Sequence, residues 1–170
     1  MTMLLYILPF IVFGIFTQAT VIPDSIKQQI IRLNTTISDR SCSFYKEFEK
    51  IMPCGHDGYA LNFANHFCEI YLENRDDFSD KAWQDATRHC LQTKLYEFAI
   101  QQQNYPTCQQ LETFGFDSHA PCYQRPDETR PKLSFCDIPF MDKAKVAWMA
   151  ADGPLMEILR SAASLNFCLF

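Results

Sequence analysis

The chain has 170 residues, a formal net charge of −5 and 48% apolar residues, with 15 Phe but only 5 Gly. That length suits one domain with ample core material, and the scarcity of glycine disfavours a turn-rich sandwich and suits helices. No basic stripe is present to displace phosphate counterions, which argues against a nucleic-acid partner, and the acidic balance gives no help in holding anionic lipid.

Leu4 to Phe16 is an apolar run with the length of a signal-peptide core, too short to span a bilayer comfortably, and Thr17-Gln18-Ala19 supplies small residues for cleavage after Ala19. A membrane anchor is the competing reading, but no basic flank follows the run and no later stretch approaches a spanning length. Residues 1–19 are therefore expected to be a signal peptide, and residues 20–170 a single secreted domain without stable membrane insertion. Export decides what the eight cysteines are for. An even number in oxidising surroundings favours four disulfides over thiols or metal. Zinc would need a Cys-x-x-Cys or His-x-x-x-His pair, and none occurs. No metal and no cofactor is expected.

In chain order, Pro23-Asp24-Ser25 offers helix-cap chemistry ahead of a stripe of Ile26, Ile30, Leu33 and Ile37. Asn34-Thr35-Thr36 beside it is an N-glycosylation sequon, which makes Asn34 the candidate glycan site. Ser41 is a second cap, before Phe44, Tyr45 and Phe48 in a short helix that ends near Pro53. His56-Asp57 beside Cys54 invites comparison with secreted phospholipases. The calcium loop and adjacent cysteines of those enzymes are missing, so Asp57 reads more simply as the cap of a helix from Tyr59.

Ala60, Phe63, Ala64, Phe67 and Tyr71 recur at the spacing of one helix face, and Trp83, Ala86, Cys90, Leu91, Leu95 and Phe98 form a second. Between them, Asp76, Asp77 and Asp80 lack the order of an EF-hand, so Ser79 and Asp80 are expected to cap the Trp83 helix. His66 and His89 have no metal-spaced partner, and His119 falls in a turn, Asp117 to Pro121. Pro106-Thr107 caps a helix with Cys108, Leu111 and Phe114. Residues 124–134 (QRPDETRPKLS) read as an exposed hinge loop. Phe140, Ala144, Ala147, Trp148 and Ala151 mark another apolar face, Asp152-Gly153-Pro154 breaks the chain, and Leu155 to Ala163 carry the last helix. The fold expected is all-α: a disulfide-cross-linked bundle of about six or seven helices. No nucleophile motif, metalloprotease motif or phosphate-cradling glycine loop marks an enzyme, so no catalytic residue is assigned.

The order Asp57-Gly58-x-x-x-x-Phe63, Cys68, Tyr71, Phe78, Trp83, Cys90-Leu91, Cys108, Leu111 and Cys122-Tyr123 resembles the stanniocalcins, with steps of 22, 18 and 14 residues between Cys68, Cys90, Cys108 and Cys122. Those proteins are secreted, all-helical glycoprotein hormones linked to calcium and phosphate balance. The resemblance implies one pairing among the 105 open to eight cysteines: Cys42–Cys68, Cys54–Cys108, Cys90–Cys122 and Cys136–Cys168. Two departures stand out. The family's further N-terminal cysteines and its subunit-joining C-terminal one have no counterpart here, which puts a disulfide-linked dimer in doubt. Asn34 also precedes the cysteine-rich region that holds the family's glycan. The expected function is a secreted, stanniocalcin-like regulator acting on an extracellular protein or cell-surface receptor. The alternative is an extracellular carrier of lipid or another apolar ligand, for which the aromatic content supplies material.

Overall fold

The computed structural model describes residues 20–151. Residues 1–19, expected to be a signal peptide, Asp152-Gly153-Pro154, the helix expected over Leu155 to Ala163, and Cys168 lie outside the described residues. Within them the chain is all-α. Its helices are α1 (Asp24–Leu33), α2 (Ser43–Ile51), α3 (His66–Glu73), α4 (Lys81–Gln101), α5 (Cys108–Asp117), α6 (His119–Gln124) and α7 (Phe140–Ala150). A π-helical turn, Tyr59–Asn65, leads into α3, and 3-10 turns at Asn34–Thr36 and Arg75–Asp77 follow α1 and α3. The isolated bridge Val21–Asn104 ties the start of the described chain to the α4–α5 connection. Backbone bonds from Ile22 to Gln103 and from Tyr105 to Thr20, both 2.9 Å, flank that bridge.

α4 is the central helix, packed by α1, α5 and α6. One core cluster joins Ile30 and Leu33 of α1, Phe44 and Phe48 of α2, and Leu95 and Ala99 of α4. A second gathers Phe78, Trp83, Phe135, Ile138 and Val146, with Tyr71 and Tyr123 against it. Three disulfides run through this framework: Cys42–Cys68 links the start of α2 to α3, Cys54–Cys108 links the loop after α2 to α5, and Cys90–Cys122 links α4 to α6. Their Cα separations of 5.9, 5.5 and 5.6 Å sit in the ordinary disulfide range. Closing loops of 26, 54 and 32 residues, each contributes about 3–4 kcal/mol by restricting the unfolded chain. Cys136 is disulfide-bonded as well, while its expected partner Cys168 is outside the described residues.

Caps fall partly where the sequence places them. Asp80 accepts from the Trp83 N–H at 2.9 Å, and Thr107 with Gln110 forms a reciprocal capping box on α5. Ser41, expected as the α2 cap, lies one position ahead of the actual N-cap, Cys42, and α2 has no side-chain cap; Ser41 Oγ accepts only from the Ser43 N–H, at 3.2 Å. Other expected caps are corrected. α1 starts at Asp24 with Pro23 ahead of it and no side-chain cap, because proline already has the fixed φ that leads into a helix. Asp57 is fully exposed and caps nothing; Gly58 precedes the π turn. Instead Glu49 of α2 accepts from the Cys54 and Gly55 N–H groups at 2.6 and 2.7 Å and folds that corner, where Gly55 alone takes a positive φ, +82°. Ser79 donates its N–H to Asp142 rather than capping α4.

The largest correction concerns α7. Phe140 and Trp148 are 79% and 80% exposed, and Ala144, Ala147 and Ala151 are exposed with them, so the expected apolar face points outward. The helix presents Asp142 and Val146 inward, because polar bonds set its rotation. The fully buried Asp142 carboxylate accepts from the Ser79 and Asp80 N–H groups at 3.1 and 2.8 Å, Lys145 donates to the Asp77 carbonyl, and the Tyr71 hydroxyl donates to the Val146 carbonyl at 3.1 Å. In the 124–134 loop most side chains are exposed, but Pro126 is buried, and Asp127 holds a turn by accepting from Thr129 and Arg130.

Burial raises the Asp142 pKa, but the Asp80 and Ser79 amides and Lys145 outweigh it and hold the carboxyl below its usual range. A depressed carboxyl stabilises the fold above its unfolded pKa of about 3.9, and that stabilisation fades as pH falls through the folded value. Amide protection in α7, measured relative to the intrinsic exchange rate at each pH, is therefore expected to fall as pH drops below about 4. Asp142→Ala is expected to lose about 2–3 kcal/mol at neutral pH, with the amides of α7 and Ser79–Asp80 deprotected first; unchanged exchange there would contradict this attachment.

Candidate functional site

The residues that the sequence marks for chemistry are not brought together. His56 is exposed beside Asp57, with Nδ1 3.9 Å from its carboxylate, and His66 and His89 lie on exposed helix surface. Among the described residues no group of three or more His, Cys, Asp or Glu side chains is arranged to hold a metal. Asn34 is exposed at the end of α1, where Thr36 Oγ1 donates to the Leu33 carbonyl at 2.7 Å, so the sequon is on accessible surface.

What the fold does form is a cavity of about 150 Å³ where the two core clusters meet. Tyr59, Phe63, Ala64 and Phe67 wall one side, from the π turn into α3; Trp83, Thr87, Arg88 and Leu91 of α4 wall another. Tyr45 of α2 and His119 and Tyr123 of α6 close the ends, and Val146, Ala147 and Ala150 of α7 cover it. Ala147 is itself exposed, so the cavity approaches the surface beside α7.

The π turn explains the aromatic wall. Its wider winding fans Tyr59 and Phe63 into a network in which the Phe63 ring lies 4.6 Å from both Phe67 and Phe116, and the Tyr59 ring 5.1 Å from Phe116. The Tyr59 ring lies directly over Gly115 of α5, where a Cβ would collide with it. His119, expected in a turn, instead opens α6 and is buried. Burial lowers its pKa, opposed by bonds to the Gly115 and Phe116 carbonyls. Those carbonyls only accept, at 2.9 and 3.3 Å, so Nδ1 carries the proton and Nε2 of the neutral ring is an acceptor. Tyr71 and Tyr123 are hydrogen-bonded to each other. Burial pushes both phenols up, Tyr123 to about 12, so both keep their protons. The Trp83 Nε1–H donates to the Tyr123 carbonyl at 3.0 Å.

One edge of the cavity is polar. Arg88 is 4% exposed; it donates to the Asp39 carbonyl at 2.5 Å, to Gln84 Oε1 at 3.0 Å and to Asp85 Oδ1 at 3.3 Å. Asp85 is also gripped by Arg75 through two bonds of 2.7 and 2.6 Å, and by Arg40 at 3.4 Å. Burial lowers the Arg88 pKa; Asp85, the carboxylate in contact with it, opposes that, with a smaller contribution from Asp39. Arg88 Nε and the neighbouring Thr87 Oγ1 are buried with no hydrogen-bond partner among the described residues. The helical spacing identifies Trp83 and Leu91 as inward-facing and places Thr87, four residues from each, on the same face; it gives no sign that Arg88 beside it is buried too.

No family model, no curated protein and no solved structure matches this chain. The fold and site together define a disulfide-tied helical bundle that encloses a mainly aromatic cavity. Among the described residues no helix is long and apolar enough to cross a membrane.

The contact over Gly115 gives a direct check on this wall. Gly115→Ala is expected to cost about 1–3 kcal/mol in chemical denaturation, because the added methyl must displace the Tyr59 ring from its stack. A stability change below about 0.5 kcal/mol would show that the ring has room to move.

Proposed function

We propose that this is a secreted, non-catalytic regulator of stanniocalcin type that acts by binding an extracellular protein or a cell-surface receptor. The observation that carries the reading is the cysteine pairing. Six cysteines can pair in 15 ways. The bonds Cys42–Cys68, Cys54–Cys108 and Cys90–Cys122 are the ones the resemblance implies. Bridged cysteines belong to an oxidising compartment, which fits export and fits a glycan on Asn34. A cross-linked helical surface holds its shape without a partner, so binding loses little to ordering of the chain. A role in calcium or phosphate balance is part of the same proposal.

A second reading, an extracellular carrier of an apolar ligand, is favoured by one specific observation, the cavity between α3, α4, α6 and α7. Aromatic walls with a few polar groups at one edge are the usual construction of a small-molecule site.

The regulator reading is tested with full-length protein secreted from cultured cells. Saturable binding to intact cell surfaces is expected, lost when the protein is reduced and alkylated; non-saturable binding, or binding indifferent to reduction, would overturn it. The covalent premise has its own check: intact mass should rise by about eight units on reduction, two for each of four bridges, without open thiols beforehand. Glycosidase treatment should lower the mass of the secreted protein and leave Asn34→Gln unchanged.

A further inference from the structure

The cavity carries information about its occupant. A volume of about 150 Å³ is that of apolar cavities that accept a benzene-sized guest, far short of a long-chain lipid. Its walls select an apolar body. Its polar edge selects the other end of the molecule. Thr87 and Arg88 are consecutive residues of α4, 6% and 4% exposed, and both line the cavity. Each holds an atom without a hydrogen-bond partner among the described residues: Thr87 Oγ1 and Arg88 Nε. A guanidinium only donates and a hydroxyl donates readily, so the group that would satisfy both is an acceptor.

The charge around them decides which acceptor. Arg88 has one carboxylate within bonding distance, Asp85, and that carboxylate already takes two bonds from Arg75 and a contact from Arg40. The other acids of the cluster are exposed: Asp39 is 3.9 Å from Arg40, and Asp76 is held by Lys81 at 2.7 Å. Water screens those two far better than it screens Arg88. An anion at the cavity edge would complete a guanidinium that is otherwise short of both charge and hydrogen bonds, and charge-assisted bonds of this kind are the stronger class. We propose that the cavity binds a small apolar carboxylic acid, its ring or short chain among Phe63, Phe67, Trp83 and Leu91 and its carboxylate on Arg88 and Thr87. This rests on the carrier reading and specifies its ligand.

The test is a fluorine NMR titration of the full-length, oxidised protein with 4-fluorobenzoate, 4-fluorobenzamide and fluorobenzene at pH 7. Fluorobenzoate is expected to bind at least about tenfold tighter than either neutral probe, the factor that one charge-assisted hydrogen bond supplies. Thr87→Val, which removes an unpartnered hydroxyl without changing side-chain volume, is expected to weaken fluorobenzoate severalfold and leave fluorobenzene unchanged. Arg88→Met should abolish the preference for the acid. If that variant fails to fold, Thr87→Val still decides whether the polar edge is used. Leu91→Trp, which fills the space, should remove binding of all three. Equal affinity for fluorobenzene and fluorobenzoate, or preference for the amide, overturns the acid and leaves a carrier of neutral ligands. Absence of binding by all three overturns both the acid and the carrier reading. Fluorobenzoate binding unmoved by Thr87→Val and Leu91→Trp places the probe elsewhere and overturns the site.

Discussion

A helix enclosed on most of its sides must bring its polar side chains into hydrogen bonds or forgo them, and α4 meets this condition residue by residue. Gln92 is 0% exposed, yet its amide donates to the Ser38 and Ser41 carbonyls at 2.9 and 3.0 Å and accepts from the Ser38 N–H at 3.0 Å. Gln84 donates to the Tyr71 carbonyl at 2.7 Å, and Asp85 takes Arg75 in a two-bond grip. Through these groups α4 fixes the loop before α2, the end of α3 and the turn that follows it. An unpaired polar group in the same position would cost about 1–3 kcal/mol, so the interior is highly specified. Thr87 and Arg88 depart from that economy, and both face the cavity.

The covalent frame and the polar frame do different things. The bridges act mainly by limiting the unfolded chain, while the buried amides and carboxylates decide how each helix is turned about its own axis. α7 shows the difference. No amount of apolar surface on Phe140, Met141 and Trp148 turned that face inward, because Asp142 had two backbone N–H groups to satisfy at the start of α4. The cavity exists partly as a result: the side chains that α7 sets over it include Ala147 and Ala150, too small to fill the space.

Much of the helical architecture was legible in the sequence because period and capping are local. The faces through Phe67 and through Trp83, the Asp80 cap and the Thr107 cap all follow from residues within a few positions of one another. Three things were not legible. The rotation of α7 depends on a bond between residues more than sixty positions apart. Tyr59–Asn65 winds as a π turn with the Tyr59 ring set against Gly115 far along the chain, a contact that the periodicity of that segment cannot register. The cavity edge arises in part from Arg88, which looks solvent-facing until α4 is seen to be surrounded; Thr87 shares the spacing of the apolar face, but its polar character hides its burial.

The three bridges also overlap along the chain: the loop from Cys42 to Cys68 runs into the one from Cys54 to Cys108, and that into the one from Cys90 to Cys122. Every peptide bond from residue 42 to residue 122 is therefore spanned by at least one sulfur–sulfur link. A protease that nicks the backbone anywhere in that stretch releases no fragment. The cut molecule gains only the water consumed in hydrolysis, and the helices on either side of the nick stay tethered at close range.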